Sequence, residues 1–365
     1  MVKISLGVQL VDAQMVSLSL TTLVRNNSFM KFQTISAFIL FVDISLIQPD
    51  IKCHVERRIE DKILICRYAC LKLFAYVYVT ALSAGLPFLN PYKEIGADFS
   101  NGINFAVAGA TALPVETLAA MNIRSPFTPS SLSVQLDWMA SFFNSTCHSN
   151  KDCAEKNANA LFMVGEIGSN DYNYALFQGK SIQEAKQMVP QVVGVIAIAV
   201  KKAIQFGATR VIVPGNFPVG CFPLYLTGFQ TNDSTAYDEE FHCLKDINNL
   251  MIYHNEQLQQ AIDELKAQNP NTTIIYADYY NAYLWILSKA RLLDFDINAV
   301  RKACCGIGGA YNFDMNRFCS MPGVPVCSNP YRYISWDGIH VTQHANELIF
   351  KWLMQNTFTK LPLHF

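Results

Sequence analysis

Asp337 and His340 stand three residues apart in Trp336-Asp337-Gly338-Ile339-His340, and among the seven histidines His340 has a carboxylate at that spacing in a glycine-containing loop. Such a turn can put both side chains on one side. A carboxylate on one ring nitrogen orients the imidazole and stabilises its protonated form, leaving the other nitrogen to act as general base. His344 follows one turn on and admits a rival Asp/His/His metal site, for which no further ligand cluster is present. His54, His148, His242, His254 and His364 have no comparable setting and read as surface or core residues.

Two other loops carry residue types that could stabilise an oxyanion. In Ile167-Gly168-Ser169-Asn170-Asp171 the chain can turn sharply and aim a side-chain amide into a cleft, although the same composition also makes an ordinary turn. Across Asn104 to Thr111 the small residues let the backbone approach closely, and the Gly109 N–H could point at a ligand oxygen. Tight packing of a loop on a sheet would use the same residues.

Elements of two periods must position these loops. Ala160 to Gly165, Thr209 to Pro214 and Thr273 to Tyr276 read as buried strands. Val189 to Phe206, stopped by Gly207, reads as a mostly apolar helix, and Asn248 to Ala267 as an amphipathic one. Gln343 to Met354 closes the chain as a helix. Strand–helix alternation argues for an α/β fold, a parallel sheet covered on both faces, with function gathered beyond the carboxyl ends of its strands. One domain is expected over about 81–360.

Residues 1–80 are atypical. Met30-Lys31 followed by the apolar run Ile35 to Val42 reads either as an internal signal-like segment over 30–50, with Met30 as the natural start, or as a buried strand or helix. Between Pro49 and Gly85 there is neither Gly nor Pro, and nothing there suggests a catalytic loop.

The 365 residues carry 28 Lys+Arg against 29 Asp+Glu, a net charge of −1, so there is no electrostatic pull toward nucleic acid. No apolar run reaches the ~18 residues of a membrane span, so stable membrane insertion is not expected. Eight of the 11 cysteines lie from Cys147 onward, the usual mark of a disulfide framework. Together with the sequons at Asn144, Asn232 and Asn271 they favour the secretory pathway, with an extracellular or vacuolar destination.

Taken together and in this order, the three loops resemble the plant GDSL esterase/lipase family of SGNH hydrolases, most closely its acetylajmalan-esterase-type members. Asn104 to Thr111 is similar to the family's second block, Gly168-Ser169-Asn170-Asp171 to its third, and Asp337-Gly338-Ile339-His340 to its fifth. Val213 to Cys221, Tyr276 to Ala282 and Cys304 to Gly309 are also family-like. The resemblance implies a three-layer α/β/α, flavodoxin-like fold and carboxylic ester hydrolysis by a serine-type mechanism. It implies Asp337 and His340 as catalytic residues, an oxyanion hole from the Gly109 N–H and the Asn170 amide, and no cofactor. A monomer acting on a small acyl, aryl or alkaloid ester is expected. Proximity pairs Cys147 with Cys153 and Cys221 with Cys243, leaving Cys304, Cys305, Cys319 and Cys327 to pair among themselves.

The first family block, a strand followed by Gly-Asp-Ser with the nucleophile, has no counterpart. Val42-Asp43-Ile44-Ser45 comes nearest and lacks the glycine. Ser169 lies in the oxyanion loop, so no nucleophile is assigned. The fold is expected to lack its first family strand, exposing neighbouring edges unless residues 51–79 replace it. Three accounts fit: a truncated splice or gene-model product, a catalytically inactive ester-binding protein, or an enzyme with a surrogate serine near the amino terminus.

Overall fold

The computed structural model describes residues 37–41 and 43–44 by their backbone and residues 89–358 in full. Strands β1 (Ala37–Phe41), β3 (Asn90–Pro91), β4 (Gly102–Asn104), β6 (Ala160–Val164), β7 (Arg210–Pro214) and β8 (Thr273–Ala277) form one sheet in the order β3-β4-β1-β6-β7-β8. Every neighbouring pair is parallel. Strands β2 (Asp43–Ile44) and β5 (Val107–Ala108) form a second, two-stranded parallel pair.

The chain supplies a strand at the position expected to be empty. Ile39 is in register with Ile103 of β4 on one side and Phe162 of β6 on the other. The apolar run Ile35 to Val42 thus contains a central strand, which corrects the expectation of a missing one. Residues 51–79 lie outside the described residues.

Helices flank the sheet: α1 (Val115–Ala120), α2 (Leu132–Thr146), α3 (Asn150–Asn157), α4 (Ser169–Phe177), α5 (Ile182–Gln205), α6 (Pro223–Gly228), α7 (Lys245–Gln268), α8 (Tyr279–Ser288) and α9 (Gln343–Asn356). All five residues of β6 are buried, as a parallel strand covered on both faces requires. Helix α5 begins two turns earlier than its apolar run suggests. Ser181 and Glu184 close a capping box, each side chain bonded to the other's backbone N–H, and Pro190 is carried inside the helix. At its end Gly207 has φ +96°, and a Cβ there would meet the Ala154 Cα at 2.5 Å. By length and composition α5 could cross a membrane; here it packs on α2, α4 and α7.

The eight expected cysteines form four disulfides: Cys147–Cys153, Cys221–Cys243, Cys304–Cys327 and Cys305–Cys319. The two pairs chosen by proximity form, and the remaining four cysteines pair among themselves.

Candidate active site

The Asp337–His340 loop is built on the adjacent disulfides. Cys304 and Cys305 donate their backbone N–H groups to the carbonyls of Ser335 and Trp336 at 3.1 and 2.6 Å, and Trp336 N–H donates to the His340 carbonyl at 2.7 Å. Gly338 turns the chain at φ +96°, where any Cβ would lie 2.2 Å from the Phe313 ring, so only glycine fits. The Ser335 hydroxyl accepts the Gly338 N–H at 3.0 Å.

Within this turn both Asp337 oxygens are used. Oδ1 accepts the N–H groups of Ile339 and His340 at 3.0 and 2.8 Å, and Oδ2 lies 2.6 Å from His340 Nδ1. The two side chains are 12% and 14% exposed. Burial pushes the Asp337 carboxyl up, but the His340 charge and the bonds from His340 and Ile339 outweigh it and hold the group below its ordinary value. An ionised carboxylate only accepts, so Nδ1 carries the proton in this bond and Nε2 is left as the basic nitrogen. His344 is turned elsewhere: its Nε2 lies 3.0 Å from the Leu293 carbonyl and its ring stacks on Tyr331. The Asp/His/His grouping therefore does not assemble around Asp337.

Gly109 and Asn170 are brought together by the first turns of α4. Asn170 is fully buried, and its Nδ2 donates to the Ala110 carbonyl at 3.0 Å. Asp171 accepts the N–H groups of Ala112 and Leu113 at 2.8 and 2.9 Å, and the Tyr174 hydroxyl donates to the Gly109 carbonyl at 2.8 Å. Burial pushes the Asp171 carboxyl up to about 7, against the pull of the Leu113 and Ala112 N–H groups. Gly109 itself has φ +74°, and a Cβ would sit 2.8 Å from the Phe127 Cβ. Helix α4 follows β6 and the Gly109 loop follows β5, so both face the carboxyl ends of their strands.

Of the Val42-Asp43-Ile44-Ser45 string, Asp43 and Ile44 form β2, with Ile44 in register with Ala108, the residue before Gly109. Ser45 lies outside the described residues. Ser169 is 7% exposed, and its hydroxyl donates to Asn216 Oδ1 at 2.9 Å.

The sequence gives Asp171, Tyr174, Asn216 and Asn255 no separate role. Their one sequence signal is polarity among apolar neighbours. Asn255, for instance, falls on the face of α7 that also buries Met251 and Leu258.

A family model described as GDSL-like lipase/acylhydrolase matches residues 76–353. Acetylajmalan esterase 2 of Rauvolfia serpentina is 45% identical over 280 residues, covering 76% of this chain and 75% of that protein. A GDSL esterase/lipase of Arabidopsis thaliana is 46% identical over 260 residues, covering 71% and 78%. Acetylajmalan esterase 1 of Rauvolfia serpentina is 43% identical over 281 residues, covering 77% and 73%.

Proposed function

Because the chain belongs to the GDSL-like lipase/acylhydrolase family, we propose that it acts on a small carboxylic ester, with Asp337 and His340 as the proton-transfer pair and Gly109 and Asn170 as the oxyanion donors. The observation that carries this reading is the 2.6 Å contact between Asp337 Oδ2 and His340 Nδ1, which leaves Nε2 as the base.

In the hydrolytic cycle His340 Nε2 takes the proton of an attacking hydroxyl as its oxygen bonds to the ester carbonyl carbon. The carbonyl electrons move onto oxygen, where the Gly109 N–H and the Asn170 amide hold the charge. His340 then hands the proton to the leaving alcohol. Water releases the acid by the same route, and no cofactor takes part.

The attacking hydroxyl is the open element. The lack of a Gly-Asp-Ser string in the sequence favours a second reading, a protein that binds esters without turning them over. Fluorophosphonate labelling of the chain from a secretory host, with mass spectrometry of the labelled peptide, separates the two. A labelled serine within residues 1–80, lost in His340→Ala, means turnover through a surrogate nucleophile. A folded sample that takes no label rules out turnover and leaves ester binding.

Acyl, aryl and alkaloid esters are all within this reading, and the two acetylajmalan esterases make alkaloid acetates the first to assay. We assign the chain to the secretory pathway, as a glycosylated monomer, extracellular or vacuolar. Four disulfides and exposed Asn144, Asn232 and Asn271 support this. A mobility shift on deglycosylation is the expected result.

A further inference from the structure

Three buried polar side chains form a relay that no step above uses. Strand β7 continues its pairing with β8 through the Gly215 N–H, which donates to the Ala277 carbonyl at 3.0 Å, and then leaves the sheet at Asn216. Asn216 is 1% exposed. Its backbone is held at two points by Asn255 of α7: the Asn216 N–H donates to Asn255 Oδ1 at 2.7 Å, and Asn255 Nδ2 donates to the Asn216 carbonyl at 2.9 Å. So fixed, Asn216 presents Oδ1 to the Ser169 hydroxyl at 2.9 Å. Its own Nδ2 is buried with no hydrogen-bond partner among the described residues.

Fold stability alone does not call for this arrangement: apolar side chains at both 169 and 216 would bury neither the Asn216 Nδ2 nor a hydroxyl that needs an acceptor. The amide does one thing an apolar group cannot: it accepts from Ser169, the first residue of α4. The next residue is Asn170, whose amide must be set within a fraction of an ångström to meet a developing oxyanion. Leading into the helix, Gly168 has φ +112°, and its own carbon is already crowded: a Cβ there would lie 2.8 Å from Val192 Cγ1. The amino end of α4 is thus fixed by packing at 168 and by a hydrogen bond at 169.

We propose that Asn216, braced by Asn255, is a positioning residue that sets the Asn170 amide through Ser169. This rests on the oxyanion reading of Asn170 above. It predicts a differential effect: a misplaced oxyanion donor harms the binding of a tetrahedral anion and leaves a neutral ester nearly unaffected.

The test compares two probes by calorimetry or ligand-observed NMR. One is the anion of methyl hexylphosphonate, a stable tetrahedral mimic that forms no covalent bond; the other is methyl hexanoate. In the unaltered chain the phosphonate should bind more tightly than the ester. Asn216→Ala should weaken the phosphonate by about tenfold to a hundredfold and the ester by less than about twofold. Ser169→Ala should match it, and the double variant should fall no further. Equal weakening of both probes would make Asn216 merely structural and overturn the proposal, as would independent, additive losses. An unaltered chain that does not favour the phosphonate would instead overturn the oxyanion reading itself.

Discussion

Asp171 accepts the backbone N–H of Leu113 at 2.9 Å across 58 residues of chain, while its other oxygen takes the N–H of Ala112. One carboxylate thereby joins α4 to the loop that carries Gly109, and Asn170 and Tyr174 add bonds to Ala110 and Gly109. The two proposed oxyanion donors are thus tied into one hydrogen-bonded body.

Asp171→Asn should loosen that body. An amide can accept one of the two N–H groups, and its NH₂ faces the other, leaving a buried donor unmet at a cost of about 1–3 kcal/mol. At ~1–2 °C per kcal/mol for a chain of 365 residues, the melting temperature should fall by roughly 1–6 °C. Amide exchange should rise at 109–113 before it rises in β6 and β7. Unchanged protection at 109–113 would argue against the joint.

Two glycines should respond in opposite directions to alanine. Gly109→Ala meets the Phe127 Cβ at 2.8 Å and stands at φ +74°, so backbone strain of about 1–2 kcal/mol adds to the displacement of Phe127. Gly194 lies exposed within α5, and a methyl group there would meet nothing within 4 Å among the described residues, so Gly194→Ala should gain about 0.5–1 kcal/mol. Chemical denaturation of the two variants reads both signs at once.

Removing one disulfide should reach the candidate site. Cys305 is bonded to Cys319 and, through its N–H, to the Trp336 carbonyl one residue before Asp337. Cys305→Ser with Cys319→Ser should cost about 2–4 kcal/mol. Exchange should rise at 335–341 more than at 147–153, where an intact disulfide remains. Uniform loosening of both regions would mean that the disulfide does not brace the loop.

Glu166, half-buried just past β6, has its carboxyl pushed up to about 8 by burial. The folded chain therefore binds this proton more tightly than the unfolded chain does. The contribution is fully present below the ordinary glutamate value of 4.5 and is lost as pH rises toward 8. Glu166→Gln removes that dependence, so its melting temperature should gain on the unaltered chain as pH rises from 5 to about 8. A constant difference across that range would refute the assignment.

Ile39→Pro tests the central strand. Proline deletes an N–H and blocks pairing in a strand bonded on both sides, a position where proline is essentially never found. The variant should fail to yield a soluble, cooperatively melting protein. A native-like melt would show that residues 37–41 are dispensable to the sheet.

Local pattern determined much of this molecule. Ala160 to Gly165, Thr209 to Pro214 and Thr273 to Tyr276 announce β6, β7 and β8 because a strand buried on both faces is written in consecutive apolar residues. The Asp337–His340 contact is legible for the same reason: three residues and one glycine suffice to make the turn. The role of Ala37–Phe41 was not legible, since a short apolar run reads alike as a signal segment, a helix or a strand. Only the sheet assigned it, by pairing it with β4 and β6, far apart in sequence. The tertiary structure likewise decided the bonds from Asp171 to Ala112 and Leu113, from Ser169 to Asn216 and from Asn216 to Asn255, each spanning 39 to 59 residues. Hydrogen-bond partners at such distances follow from which helices pack on which strands, and no local periodicity encodes that.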